Sequence, residues 1–240
     1  MRTRVFAALG AAMVLAAGVL GPGGMASGVS SAGAGSDPAD FTSPVPNPHF
    51  PIEPGTVSIY RGREGTDRLR ERLTITDETK VIQGVTTTVV NDVMYANGLL
   101  AEKTVDWYAN DNEGNVWYFG EETATYDEHG NVLNTEGSWE AGVDGAVAGT
   151  IMPADPMPTD AYRQEFYQGH AEDQAWIVQR GVTVDVAYGK LDDAVRSFEW
   201  TRLEPGVVSG KFYAPGLGIV REWDVTGGTE RLELVEVRSA

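Results

Sequence analysis

Cysteine is absent from all 240 residues. No disulfide framework, cysteine-ligated zinc module or thiol nucleophile can be built without it, and no lipidated cysteine can hold the leader to a membrane. Histidine is nearly as scarce: His49, His129 and His170 are the whole complement. None stands in a His-x-x-His or H-E-x-x-H spacing, so histidine-centred metal chemistry has no frame. Ser58, Ser138, Ser197 and Ser209 are the main hydroxyls of the body, and none occupies a G-x-S-x-G elbow. The histidines sit in Pro-rich or turn contexts, so no nucleophile is legible beside its base. Basic residues are also few. Eighteen Lys+Arg face 35 Asp+Glu, for a net charge of -17. That balance favours solubility, repels polyanions and excludes a chain-wide groove for nucleic acid.

Long apolar runs are missing as well. The longest, Val5 to Leu20, falls short of the ~20 residues a spanning helix needs. It follows Arg2 and Arg4 and precedes Gly21-Pro22, the layout of a secretory signal. Small-x-small cleavage options are Gly24-Met25-Ala26 and Ala32-Gly33-Ala34, of which the second is preferred. A signal peptide over 1–34 is expected, giving a secreted or extracytoplasmic protein with no integral membrane insertion after cleavage. Residues 1–34 hold two Arg and no acid, so the remainder has 16 basic and 35 acidic residues, a net -19. Without disulfides this body must be held by a core. A domain of about 200 residues can do that, because folding buries about 70% of its surface.

What is present is β texture. Residues 35–56 form a Gly/Pro-rich leader, too dense in proline for helix or ladder hydrogen bonds, with Phe41, Phe50 and Ile52 available to pack on the body. Beyond it, short alternating or β-branched runs are separated by turn signals. Val85-Thr86-Thr87-Thr88-Val89-Val90 is one such run. Asn97-Gly98 is a strong hairpin signal, and Asn112-Glu113-Gly114-Asn115 and Asp127-Glu128-His129-Gly130 read as further turns. Residues 139–160, small, Gly-rich and then Pro-rich, read as a long irregular connection. After it the strand texture resumes to the end. Trp107-Tyr108-Ala109…Val116-Trp117-Tyr118 is echoed about 105 residues later by Phe212-Tyr213-Ala214…Val220-Arg221-Glu222. The expected fold is all-β: one antiparallel meander over 57–240 forming a barrel or strongly curved sheet, with two pseudo-repeated halves as a possible plan.

From Trp107 to Glu121, through Glu136 to Gly142 and Tyr162 to Glu165, and again from Phe212 to Arg221, the sequence resembles a group of exported bacterial proteins of high-GC type that carry no assigned activity. The resemblance covers most of 42–236. The closing hairpin also resembles those of LolA-like and lipocalin-like barrels, a similarity of architecture only. These resemblances imply an exported β-rich body and supply no catalytic residue.

Three sets of residues could carry chemistry. Asp111, Asn112, Glu113 and Asn115 are dense in the oxygen ligands Ca²⁺ prefers, although their spacing does not follow the EF-hand pattern and Asp/Asn/Gly also build ordinary turns. Otherwise no cofactor is expected. Glu165, Glu172 and Asp173 lie near aromatics, as paired carboxylates of a glycoside hydrolase would. Trp107, Trp117, Tyr118, Trp176 and Trp223 could line a cavity for an apolar or amphiphilic guest. The reading that follows is an exported, non-enzymatic protein holding such a small molecule in a β-cavity. A carboxylate-dependent secreted hydrolase and a Ca²⁺-assisted cell-envelope interaction module are the alternatives.

Overall fold

The computed structural model describes residues 36–240; the expected signal segment lies outside them. A short 3-10 helix at Pro38–Phe41 precedes the strands. The first run is β1 (Thr56–Glu64), β2 (Asp67–Ile82), β3 (Val85–Ala96), β4 (Leu99–Asn110) and β5 (Val116–Tyr126). Short strands follow: β6 (Val132–Asn134), β7 (Trp139–Glu140), β8 (Val147–Met152), β9 (Ala161–Arg163) and β10 (Glu165–Phe166). The last run is β11 (Asp173–Val186), β12 (Gly189–Thr201), β13 (Val208–Ala214), β14 (Gly218–Thr226) and β15 (Arg231–Ser239).

Every pairing is antiparallel. Turn chemistry sets the register: Asn97 and Gly98 both take positive φ between β3 and β4, as a two-residue hairpin of this hand requires. The two meanders, β1–β5 and β11–β15, join where β1 pairs with β15. On the far side β5 pairs with β8 and β8 with β10, while β11 pairs with β9. Since β9 and β10 are separated by Gln164 alone, residues 161–166 span from one sheet edge to the other and nearly close the barrel. The fold is the all-β antiparallel barrel that the strand texture predicts.

One expectation is corrected. Residues 139–160 are not irregular throughout, because β7 and β8 lie within them. Their small residues serve close strand approach. A Cβ at Gly149 would come within 2.4 Å of the Gln164 backbone. Likewise Gly120, at φ 133, lets β7 approach β5; a Cβ there would lie 2.2 Å from the Trp139 carbonyl oxygen.

The leader straps one rim. Val45 N–H donates to the Asp111 carbonyl and Gly216 N–H to the Pro48 carbonyl. The buried Asn47 side chain donates to the carbonyls of Gly114 and Pro153. Phe50 then packs against Tyr108 and Tyr213, with ring centroids 5.2 and 6.4 Å away. The two hairpins of the internal echo, β4–β5 and β13–β14, both turn at this rim and both hold the strap.

Candidate functional site

Strand alternation points every second side chain into the barrel, and here many of those positions are acidic. Glu71 of β2, Asp92 of β3, Glu102 and Asp106 of β4 and Glu121 of β5 are all buried. So are Glu165 of β10, Asp173 of β11, Glu199 of β12, Glu222 of β14 and Glu230, which precedes β15. Carboxylates are rarely buried unless paired. Among the described residues one buried ammonium faces them, Lys211 of β13: its Nζ lies 2.9 Å from Glu199 Oε2 and 3.8 Å from Glu222 Oε1.

The interior divides into an apolar and a polar half. Toward the strapped rim, a cavity of about 60 Å³ is lined by Phe50, Ile52, Tyr60, Ile75, Tyr108 and Ile219 among others. Toward the opposite rim, a cavity of about 150 Å³ is lined by Asp173, Glu199, Lys211 and Glu222, with Glu64, Glu204, Asp224 and Glu230 around its mouth. The second has room for roughly five waters at ~30 Å³ each, and the first for about two.

Environment separates the carboxyl groups. Burial pushes the Glu222 pKa up to about 7, against the pull of Lys211. Its Oε2 is buried with no hydrogen-bond partner. Burial also raises Glu199, but Lys211 and the hydroxyls of Tyr213 and Ser197 outweigh it and hold the group below the usual carboxylate range. Those hydroxyls each lie 2.7 Å from Glu199 Oε1. Lys211 is driven down by burial and further up by Glu199 and Glu222, so its pKa ends raised. Asp106 is pushed up to about 7 by burial, with the Tyr118 hydroxyl 2.7 Å away opposing the rise. Glu71, Glu121, Glu165 and Glu230 are raised well above the usual range, each chiefly by burial and then by neighbouring carboxylates.

The aromatics picked from the sequence do not form one lining. Tyr118 points inward, stacked on Tyr108 at 4.8 Å. Trp107 is covered by the Lys80 ammonium, 3.4 Å from its ring centroid. Trp117 donates to Asp111 Oδ2 and meets Phe41 of the strap edge-on. Trp176 is 42% exposed, and Trp223 stacks on Phe212 at 5.1 Å. Of the three carboxylates proposed for catalysis, Glu165 and Asp173 share the interior. Glu172 instead accepts from Gly169 N–H and from Arg202 at 2.6 and 3.0 Å; these partners outweigh its burial and lower its pKa.

The Asp111 set acts as a turn that grips the strap. Asp111 accepts from the backbone N–H of Glu113 and Asn115 and from the side chains of Asn115 and Trp117. Asn112 binds Ser43 and Ala39, and Asn115 Oδ1 accepts from Ala154 N–H. Among the described residues no group of three or more His, Asp or Glu stands so as to hold a metal ion. Sequence reasoning missed Glu71, Asp92, Asp106, Glu199, Lys211 and Glu222. Their one signal was spacing two apart on strands, as in Ser197-x-Glu199-x-Thr201, which also describes a solvent face.

No protein-family model matches the chain, and no curated protein does. Two solved structures are similar in overall course. One, from Bacteroides fragilis, is provisionally named an exported protein with a YMCC-like fold; it is 14% identical, with a TM-score of 0.46 over 82% of this chain and 99% of its own. The other, from Parabacteroides distasonis, is provisionally named a lipoprotein; it is 11% identical, with a TM-score of 0.42 over 81% and 100%.

Proposed function

We propose that the protein is an exported binding protein that holds a small organic cation, an amine or a guanidinium, in its acidic cavity. One observation carries the reading. The cavity wall sets seven carboxyl groups against the single ammonium of Lys211, and Glu222, one of the seven, has its Oε2 buried without a hydrogen-bond donor. A buried acceptor without a donor is costly, and a cationic guest supplies charge-assisted donors where they are missing. The Arg2/Arg4 segment and its apolar run support export. The sequence points to an apolar or amphiphilic guest; the acidic cavity favours a cationic one instead, and the apolar cavity, about 60 Å³, is too small for a lipid chain.

Calorimetric titration with 1,4-diaminobutane and methylguanidinium tests this, with 1,4-butanediol as the neutral control. Binding of the amines at neutral pH, weakened at least tenfold in Glu222→Gln, is expected. Equal binding of the diol, or no heat with any amine, overturns it.

A second reading, acid–base hydrolysis, is favoured by one further observation: Glu199 and Glu222 line the same cavity with pKa values pushed in opposite directions, as in acid/base pairs of hydrolases. It requires turnover of chromogenic glycosides that disappears in both Glu199→Gln and Glu222→Gln.

A further inference from the structure

The arginines of this acidic chain are not scattered. Strand register aligns them in two rows across the outer face of the barrel. On β12, β13 and β14 the first row reads Arg196, Phe212, Arg221, since Arg196 faces Phe212 and Phe212 faces Arg221. It continues over β15, β1 and β2 as Glu233, Arg61 and Arg70, and ends at Tyr95 of β3. The second row begins at Phe198 and Gly210, crosses Trp223, and runs through Arg231, Arg63 and Arg68. Seven arginines and one acid occupy the two rows. Arg61, Arg63, Arg68, Arg70 and Arg231 are exposed, and Arg72 of β2 stands beside them, also exposed.

Folding does not need this arrangement. Arg61 lies directly opposite Arg70, and Arg63 directly opposite both Arg68 and Arg231. Like charges in directly opposed cross-strand positions destabilise a sheet. The one acid, Glu233, is held by Arg221 at 2.9 Å. The arginines are interleaved with aromatic surface. The Arg196 guanidinium lies 4.8, 5.8 and 5.1 Å from the rings of Phe198, Phe212 and Trp223. Gly210 leaves room for the indole, because a Cβ there would come within 2.4 Å of the Trp223 ring.

We infer that this face docks an extended anionic polysaccharide, with carboxylate or phosphate groups on the arginines and sugar rings on Trp223 and Tyr95. Charge complementarity is local: beyond about 8 Å, physiological salt screens the acidic remainder of the chain, so the net charge does not forbid a polyanion here. Planar guanidinium groups bind carboxylate and phosphate bidentately. Adjacent strands place successive arginines about 5 Å apart, a linear array suited to a linear polymer. The half-buried rings of Trp223 and Tyr95 add apolar surface to the rows, which suits sugars and which an acidic polypeptide does not need. Exposed arginines on neighbouring strands leave no apolar outer band for a lipid bilayer on this side.

The test uses the full mature chain and three probes: polygalacturonate, neutral dextran, and vesicles containing phosphatidylglycerol. Polygalacturonate should bind in low salt, lose affinity as salt rises, and bind at least tenfold more weakly to Arg61→Gln/Arg63→Gln/Arg70→Gln. Trp223→Phe should weaken binding less than the arginine variant does. Because the arginine variant relieves like-charge opposition, its Tm in the absence of glycan should equal or exceed the parent's, which separates lost binding from lost folding. The inference falls if polygalacturonate does not bind, if dextran binds equally well, if the vesicles bind and the glycan does not, or if the arginine variant binds unchanged.

Discussion

Raising the pH should weaken this protein over a range where most domains hold steady. The perturbation is a shift from pH 4.5 to pH 8, and the group followed is Glu222. Its carboxyl ionises near its ordinary 4.5 in the unfolded chain and at about 7 in the barrel. A pKa raised on folding stabilises the native state below the unfolded value, and that stability is lost as pH climbs through the folded value. At 1.36 kcal/mol per pKa unit, Glu222 alone removes about 3 kcal/mol between pH 4.5 and 8. For a domain of this size that is a fall of about 6–12 °C in Tm. Asp106, raised from 3.8 to about 7, acts in the same direction, as do Glu71, Glu121, Glu165 and Glu230, all raised by burial. Glu199, held low, acts oppositely and only in more acid solution, as its own depressed pKa is approached. Scanning calorimetry of parent and Glu222→Gln at pH 4.5, 6 and 8 should show the variant gaining on the parent as pH rises, by about 3 kcal/mol at pH 8. A parent Tm that rises from pH 5 to 8, or a variant that tracks the parent at every pH, refutes the reasoning.

Two other perturbations follow from the same geometry. Lys211→Met leaves Glu199 and Glu222 buried without their counter-ion and should cost about 3–5 kcal/mol in urea unfolding at pH 7, and less at pH 5; a loss under about 1 kcal/mol would show that the carboxyls are already neutral. Asp111→Ala removes four accepted hydrogen bonds from the turn that grips the strap, for about 2–4 kcal/mol, and should red-shift the fluorescence of Trp117 as its indole loses both Asp111 and Phe41; unchanged emission would mean the strap is held elsewhere.

The strands were legible because their signals are local. Asn97-Gly98 fixes a hairpin by backbone conformation alone, and the β-branched run at Val85–Val90 has no competing helical period. The closing of the ring was less so. The strand texture resumes after residue 160 without a visible break, yet the chain kinks at Gln164 and serves two partners, a division that depends on where β8 and β11 lie. The site was the least legible. Alternation gives two faces without saying which is inside, so Glu199 and Glu222 look the same in sequence as Glu233, which faces outward. The tryptophans mislead for the same reason: Trp223 alternates correctly with Glu222, but the inward position belongs to the acid.

The pairing of β1 with β15 sets a time order as well as a shape. The first strand to be made waits for the last one, with nearly the whole body between them. Local hairpins can form during that interval, but the ring cannot shut, and Phe50 has no Tyr213 to rest against until β13 arrives. Contacts so distant in sequence make for slow folding. A chain of this design stays open until its end has been made, and its interior acids stay in water until the final strand draws them in.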